Sequence, residues 1–475
     1  NWAFGMYIRG GYSPIPLNTN SDDNNEFVTE AVNNGDITTR GEVACGMLAL
    51  YDSTAINNGS IETNGLGSFG MLALDGSTAT NESDGTITTH GEGALGMLAL
   101  ENAMAINKGS IVTNGDPIIF DDDISIGAYG MVAAYNSTAV NESVGTIATY
   151  GKEAYGMYAR IALPYVDTPV PLSDEGNIDS IDVAVQNHNN SFAAKAINRG
   201  TITTYGKEAH GMYISGDYEF YPLALRSFDD DISDDTSAAI NTGTITVTGE
   251  GADAVYVDNS TFTNSGTLDS LRGNAITSAN STVNLEDGTK LPNSHNIVGD
   301  DGSTLNVNMA GDLAAIVNFG TFNKNGTGTL TLEEGSSAGT TNNNAGTLKI
   351  APDTTFETNS YTQTAEARLH LYVPSNSDVG LPLKINNEGG TAAQFAGKVV
   401  IDYSSQPLPG MYKYIYVAGE RSNDFDSVSF VNPGGIYKTF MPQWVPGNSF
   451  YYTSIVGYAF SEQALGLVSA IEDWS

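Results

Sequence analysis

Three glycines in the stretch GLGSFGMLAL have the spacing of a dinucleotide-binding loop. Gly65, Gly67 and Gly70 form G-x-G-x-x-G, which lets backbone amides approach a pyrophosphate. That chemistry needs a strand before the glycines and a helix after them, but the residues that follow, MLALDGSTATNESDGTITTHG, show no helical apolar period. The same spacing returns in GEGALGMLAL at residues 91–100. A motif that recurs together with its neighbours indicates a structural repeat rather than a nucleotide site.

Other motifs that carry chemistry are weak. The five histidines include no H-x-x-x-H or H-E-x-x-H pair, the spacings of helical zinc sites. GSSAG at 335–339 matches the G-x-S-x-G of a nucleophile elbow, but it lies in a polar, turn-rich stretch without the apolar strand and helix that an elbow needs. Paired carboxylates that cleave polysaccharides stay open, because an acidic chain offers many candidates. We therefore predict no catalytic residue and no cofactor.

Two acidic runs are the weak candidates for a metal site. Asp121 and Asp123 lie in one run, and Asp229 and Asp231 lie in the other. Carboxylate oxygens bind Ca²⁺, but neither the EF-hand spacing nor the nonapeptide calcium repeat is present. We expect solvated charge runs rather than a metal centre, with Ca²⁺ as the alternative.

The composition bounds the class of partner. The 475-residue chain has 55 acidic and 19 basic side chains and a formal charge of -36. Such a surface repels phosphate backbones and anionic membranes, so neither a nucleic-acid partner nor membrane insertion of this fragment is expected. No apolar run reaches the ~18 residues that a membrane span requires. The lone Cys45 excludes an intrachain disulfide.

The repeat itself predicts the fold. One unit reads CGMLALYDSTAINNGSIETNG at residues 45–65, and related units follow at intervals of 24 or 26 residues. Each unit contains three segments that are rich in Thr, Ile, Val or Leu and bounded by Gly-containing turns, which is typical of short strands. Three strands and three corners make one coil of a three-faced parallel β-helix, which buries its interior only when coils stack. The sequence predicts this all-β solenoid over residues 1–355.

The alternation of side chains along GMLAL predicts which residues face the interior. The column that contains Cys45 and His210, together with the repeated Met and Ala, is expected to point inward as packing residues. Leu48, Leu72 and Leu98 then form an exposed leucine stripe, a candidate contact surface; in the alternative parity these leucines fill the core. One corner is expected to carry a ladder of stacked side-chain amides, formed by Asn57, Asn81, Asn107, Asn141, Asn198 and Asn241.

Insertions interrupt the coils near residues 10–27, 116–126, 161–187 and 216–235. Insertions in a solenoid map to loops, often on the binding face. Three of these stretches follow units that carry GMY instead of GML, and each contains Tyr followed by Pro and Leu, which give a large and rigid contact area. The predicted contact residues are Tyr12, Tyr165, Tyr218, Phe220 and Tyr221.

The C-terminal part differs in composition. From about residue 396 the chain carries alternating aromatic residues with Gly and Pro turns, which predicts short antiparallel strands. The open end of a solenoid exposes unpaired edges, so we expect residues 356–460 to form the last coils and a covering β cap. The last residues, 461–475, read SEQALGLVSAIEDWS and predict the start of a linker helix.

The GMY/GML…STAxNxGTITT repeats, the acidic and Cys-poor composition and the aromatic C-terminal block together resemble the passenger domain of an autotransporter, particularly the adhesin type. The resemblance implies a right-handed β-helix with an autochaperone-like cap. It also implies outer-membrane anchoring in the full-length protein, with exposure on a Gram-negative cell or secretion. The chain shows neither a signal peptide nor the barrel through which such passengers are exported, so we expect a piece of a longer protein.

Two classes of function follow from this reading. The first is an adhesin whose loops bind a host surface protein or glycan, or a second copy of the chain. The second is a polysaccharide-acting enzyme with a carboxylate groove, and a toxin passenger stays open beside it. The adhesin is favoured, because the loops carry aromatic contact residues while the catalytic motifs are weak.

Overall fold

The computed structural model describes residues 4–10, 29–121, 124–160, 193–216, 237–293, 296–373, 381–404, 410–431, 437–439, 443–445 and 450–458. Within these ranges the regular elements are all β-strands, with no helix. The chain divides into two compact units, one formed by Asn1–Thr282 with Gly288–Asn293 and the other by Val283–Asp287 with Ser294–Ser475.

The first unit contains three stacks of parallel strands, one for each segment of the repeat. Face A contains Phe4–Arg9, Cys45–Leu50, Phe69–Leu74, Leu95–Leu100, Met131–Ala134, Met157–Arg160, Met212–Ser215, Val255–Asp258 and Ile276–Ala279. Face B contains Glu30–Asn33, Thr54–Asn57, Thr78–Asn81, Met104–Asn107, Thr138–Asn141, Lys195–Asn198, Ala238–Asn241 and Thr261–Asn264. Face C contains Asp36–Thr39, Ser60–Thr63, Thr86–Thr89, Ser110–Thr113, Thr146–Thr149, Thr201–Thr204, Thr244–Val247 and Thr267–Ser270.

The register of the strands follows the repeat. Met47 pairs with Met71, and Met71 pairs with Met97, so each residue lies above its counterpart in the next coil. All three faces are parallel, and parallel crossover connections are right-handed as a rule. The predicted three-faced parallel β-helix is confirmed.

The glycine of Gly-Met is required by interior packing. A Cβ atom on Gly96 would lie 2.4 Å from the Cγ2 atom of Ile111 on face C and 2.5 Å from the Gly130 carbonyl oxygen. The same approach to an isoleucine recurs at Gly46, Gly70, Gly130, Gly156 and Gly211. Because these distances are far below van der Waals contact, any larger residue would push faces A and C apart.

The predicted asparagine ladder lies at the end of face B. Each buried amide nitrogen donates to the side-chain oxygen of the Asn in the next coil, over 2.7–2.9 Å, from Asn33 to Asn264. The amides also donate to backbone carbonyls at the corner, for example Asn57 to Gly59. The ladder therefore satisfies buried polar groups that the corner would otherwise leave unpaired.

The insertion at 116–126 adds a small hairpin. Ile118–Asp121 pairs antiparallel with Ile124–Ile126. The other three predicted insertions, and the predicted helix at 461–475, lie outside the described residues.

The second unit also contains stacked parallel strands and ends in antiparallel strands. The stack that we call the C-terminal sheet contains Gly311–Leu313, Thr329–Leu332, Gly346–Ile350, Ala367–Tyr372, Lys398–Asp402 and Ser427–Val431. The other strands of this part are Thr282–Leu285, which spans the division, Ile297–Val298, Thr304–Val307, Ile316–Val317, Phe319–Lys324, Ser336–Asn343, Phe356–Gln363, Leu383–Ile385, Ala393–Gln394, Gly410–Val417, Arg421–Ser422, Tyr437–Thr439, Gln443–Val445 and Phe450–Tyr458.

Antiparallel pairing begins where the aromatic block predicts it. Phe450–Tyr458 pairs antiparallel with Gly410–Val417, Tyr437–Thr439 and Gln443–Val445. The predicted antiparallel C-terminal strands are confirmed. The boundaries at residues 355 and 460 stay predictions, and the division between the compact units lies earlier in the chain.

Candidate functional site

The outer side of face A carries an apolar surface with a different parity from the one predicted. Cys45 packs in one cluster with Leu48 and Leu50, whereas Gly46 faces the interior isoleucine of face C. Met47 lies opposite Leu48 by strand alternation and is fully buried, so Gly46 and Met47 are consecutive residues that both point inward. The predicted inward position of the Cys45 column is therefore wrong, because strict alternation is broken at Gly-Met.

The predicted exposure of the leucine stripe is also wrong. Leu48, Leu72 and Leu98 lie on the outer side of face A, but they are only 2%, 5% and 4% exposed. They pack together with Leu50, Leu74 and Leu95 in a single apolar cluster. The stripe is therefore part of a buried layer, and the alternative in which these leucines fill the interior of the β-helix does not hold either.

Aromatic side chains continue the same outer surface in the later coils. We call Tyr129, Tyr155, Tyr158, His210, Tyr213 and Tyr256 the aromatic cluster. The rings of Tyr155 and Tyr213 stack 4.9 Å apart, and those of Tyr213 and Tyr256 stack 5.0 Å apart. Tyr158 meets Tyr213 edge-on at 5.4 Å. Spacings near the separation of neighbouring coils show that the parallel register places these rings against one another.

His210 lies inside the aromatic cluster as a neutral packing residue. Its Nδ1 atom accepts a hydrogen bond of 2.9 Å from the Asp253 amide, and its ring lies 5.4 Å from the ring of Tyr155. Burial lowers the pKa of His210, and this effect outweighs the opposite influence of the carboxylates of Asp253 and Glu208. Burial likewise raises the pKa of the Cys45 thiol, whose Sγ atom donates to the Met47 carbonyl. Both residues have the packing surroundings expected for an apolar stack.

Most of the predicted contact residues follow, in the sequence, strands that contain residues of this cluster. Tyr12, Tyr165, Tyr218, Phe220 and Tyr221 lie outside the described residues, as do Asp123, Asp229 and Asp231 and the side chain of Asp121. Two of the stretches that hold the contact residues follow the face A strands Met157–Arg160 and Met212–Ser215. Those strands contain Tyr158 and Tyr213 of the aromatic cluster.

The sequence alone did not predict that the tyrosines of the aromatic cluster come together. Its signal in the sequence is the replacement of Leu by Tyr after Gly-Met, at Tyr7, Tyr158 and Tyr213, in the units that precede the insertions. That coincidence shows that the outer surface changes from aliphatic to aromatic where the long insertions begin. Tyr7 is 44% exposed, so the aromatic surface also reaches solvent in the first coil.

A second feature is a carboxyl pair at the corner between faces A and B. Glu101 forms a side-chain hydrogen bond with Asp75 of the preceding coil, and its Oε1 atom is buried without a hydrogen-bond partner. Burial, first, and the neighbouring Asp75, second, raise the pKa of Glu101 to about 8. Glu101 therefore keeps its proton at neutral pH.

The backbone at this corner is strained. Asp75, Gly76, Glu101 and Asn102 all have positive φ angles, between 51° and 74°. Left-handed conformations cost about 1–3 kcal/mol each for residues other than Gly, and such strain is often found at functional sites. A Cβ atom on Gly76 would lie 2.4 Å from the Asp52 carboxylate, so the glycine leaves room for that group beside the carboxyl pair.

Metal and membrane features are weak in the described part of the chain. Within the described ranges, no three His, Cys, Asp or Glu side chains come close enough together to hold a metal ion. Among the same residues there is no helix with the length and apolar character of a membrane span.

The chain matches the family of the BigA third pectate lyase-like domain. The matches cover residues 15–83, 64–162 and 124–296. Together they run from residue 15 to residue 296, more than half of the 475-residue chain, and include the aromatic cluster and the carboxyl pair. Their overlap is what a repeated coil produces, because each coil can align with several others. A search of curated proteins gives no significant match.

Proposed function

Because the chain belongs to the family of the BigA third pectate lyase-like domain, we propose that it is an autotransporter passenger that acts as an adhesin. It is displayed on the surface of a Gram-negative bacterium or secreted. The β-helix is a rigid support, and binding takes place through the aromatic insertions. The ligand is a protein or glycan of a host surface, or a second copy of the chain, and no covalent bond is made or broken.

One observation carries this proposal. The outer side of face A becomes aromatic in the strands that contain Tyr158 and Tyr213, and the insertions with Tyr165 and Tyr218 follow those strands. Tyrosine combines a large apolar area with a hydroxyl group and loses little conformational entropy on binding, which makes it effective in contact surfaces. The stacked rings stabilise the coils that precede these segments in the sequence.

Point variants test the contact residues. Replacing Tyr165, Tyr218, Phe220 and Tyr221 by Ser should weaken attachment of the purified chain to epithelial cells, or to immobilised chain, by about 10-fold or more, since aromatic anchors contribute about 2 kcal/mol or more each when central. Replacing Tyr150 and Tyr205, which are 50% and 45% exposed and stack on each other at 4.6 Å, is the matched control. Equal attachment by the loop variant and the control would refute the proposal.

A second candidate function is glycan hydrolysis at the corner between faces A and B. The carboxyl pair Asp75–Glu101 supports it, because a general acid must keep its proton at neutral pH while its neighbour is ionised. Under this hypothesis Glu101 would protonate the leaving oxygen.

The enzyme candidate has its own test. Under this hypothesis the chain releases reducing ends from a glycan panel, Glu101→Gln removes at least about 99% of that release, and Glu62→Gln on face C retains it. Absence of release from every glycan by the unmodified chain would eliminate the candidate. Release that persists in the Glu101→Gln variant would place the chemistry elsewhere.

A further inference from the structure

Basic side chains gather on the outer side of the C-terminal sheet, which lies apart from face A in the sequence. Lys349, Arg368 and Lys398 lie on three consecutive strands of this sheet and alternate with inward residues such as Leu348 and Leu369, which are fully buried. The chain has 19 basic residues against 55 acidic ones, so three cations on neighbouring strands are a local reversal of charge.

Two of these cations are placed where they repel each other. Arg368 and Lys398 are direct partners across the parallel ladder, and like charges in that position destabilise a sheet. Among the residues that the structure describes, neither side chain forms an ion pair with a carboxylate. An unneutralised cationic pair costs stability in the free protein and gains it back when an anion binds.

Carboxylates also lie near these cations, since Asp402 and Asp312 both act electrostatically on Lys349. Asp402 is 5% exposed, lies 3.0 Å from the Nε2 atom of His370 through its Oδ2 atom, and accepts hydrogen bonds from the amide and hydroxyl of Ser404 through Oδ1. Asp426 accepts a hydrogen bond of 2.7 Å from the Gly397 amide. Neither carboxylate forms an ion pair with Arg368 or Lys398, so these two cations can bind an external anion.

An aromatic ring and a third cation adjoin the pair. The Nζ atom of Lys349 lies 5.2 Å from the ring centroid of Tyr372. The His370 ring lies 5.4 Å from the Tyr372 ring. Burial lowers the pKa of His370, and the charges of Lys349 and Arg368 lower it further against the influence of Asp402. The positive charges of Lys349 and Arg368 therefore both act on the His370 side chain.

We propose that Lys349, Arg368 and Lys398 bind the carboxylate or sulfate groups of an acidic polysaccharide, with the half-buried Tyr372 ring as the adjoining apolar contact. The exposed hydroxyl of Ser427, on the same side of the sheet, can hydrogen-bond a sugar hydroxyl. A polysaccharide with spaced charges suits three cations on an otherwise acidic chain, whereas duplex DNA carries one charge per about 1.7 Å and would bring many more phosphates against the surrounding acidic surface.

Binding of four polymers to the full chain tests the site. Heparin carries sulfate groups, hyaluronan carries carboxylates, dextran is neutral, and duplex DNA is a phosphate polymer. We expect binding to heparin, hyaluronan or both, with affinity that falls as salt rises, and no binding to dextran or DNA. Binding to one acidic polysaccharide alone supports the site and assigns its anion as sulfate or carboxylate.

Matched variants locate the binding. Arg368→Gln with Lys398→Gln should weaken polysaccharide binding by about 10-fold or more, because two charge-assisted contacts are lost. The charge-retaining pair Arg368→Lys with Lys398→Arg should bind within about two-fold of the unmodified chain, as should Arg40→Gln with Lys195→Gln, which removes two exposed cations elsewhere. Circular dichroism and thermal unfolding verify folding; if the double Gln variant is unfolded, Lys349→Gln takes its place.

Three results would overturn the proposal. The first is that the chain binds neither heparin nor hyaluronan. The second is an equal loss of binding in the Arg40 and Lys195 control variant. The third is DNA binding that is as tight as polysaccharide binding and is lost in the same variants. The proposal does not rest on the adhesin function of face A. The variants of Tyr165, Tyr218, Phe220 and Tyr221 should retain polysaccharide binding, so the two proposals can fail separately.

Discussion

At the scale of single residues, each side chain of the asparagine ladder stabilises the folded chain, and none of them belongs to a proposed binding surface. Asn141 donates to Asn198 and accepts from Asn107, and all three are fully buried. We predict that Asn141→Ala lowers the free energy of unfolding by about 2–4 kcal/mol, because two neighbours lose buried partners. Asn58→Ala, which removes an exposed amide that donates to Asn34, should change it by less than about 0.5 kcal/mol. Chemical denaturation measures both, and equal effects would contradict the ladder.

His210 makes stability depend on pH. Its pKa is lowered in the folded state, mainly by burial, so the unfolded chain binds the proton more tightly below its usual pKa near 6.5. The contribution of the neutral ring is therefore present above pH 6.5 and is lost as the pH falls, with a slope of up to about 1.4 kcal/mol per pH unit. The difference in unfolding free energy between the unmodified chain and His210→Phe, measured from pH 5 to pH 8, should change in this sense. A constant difference over that range would show that His210 does not titrate as its burial requires.

At the scale of elements, the contact between faces A and C is the most restrictive. Gly96→Ala places a methyl group 2.4 Å from the position of Ile111 Cγ2, so we predict a loss of about 1–3 kcal/mol from overpacking. Gly35→Ala is the matched control, since no atom lies within 4 Å of its Cβ position. Thermal unfolding of the two variants compares them directly. Similar stability of both would mean that the Gly column tolerates larger side chains.

The face A strand Cys45–Leu50 shows which features of the fold could be predicted from the sequence and which could not. Period and turn chemistry were enough to predict the strands, the parallel stacking and the Asn column, because each is repeated in every coil. The orientation of Cys45 was not predictable from alternation, since Gly46 and Met47 both face inward. A glycine before a buried methionine is compatible with either orientation of the strand. Only the position of the Ile61 side chain beside Gly46 shows that the glycine faces inward.

At the scale of the whole molecule, the loosening of the repeat limits prediction. In the second unit the coils vary in length, so the pairing of Arg368 with Lys398, thirty positions apart, has no periodic signal. Asp75 and Glu101 each follow GMLAL directly in neighbouring units, so the repeat predicts that they are neighbours but not that Glu101 is buried. The fold was therefore predictable from the repeats, whereas the candidate sites depend on contacts between coils.

The claim that the β-helix supports adhesive insertions is tested most directly by measuring cell attachment of a chain whose long insertions are shortened. The register equates residues 161–193 with the two-residue corner Tyr135–Asn136 of the adjacent coil, and residues 216–236 with the same corner. Replacing both stretches by Tyr-Asn should keep the β-sheet circular dichroism spectrum and abolish attachment to epithelial cells and to immobilised chain. Attachment at the original level by the folded, shortened chain would contradict the claim that the β-helix supports adhesive insertions.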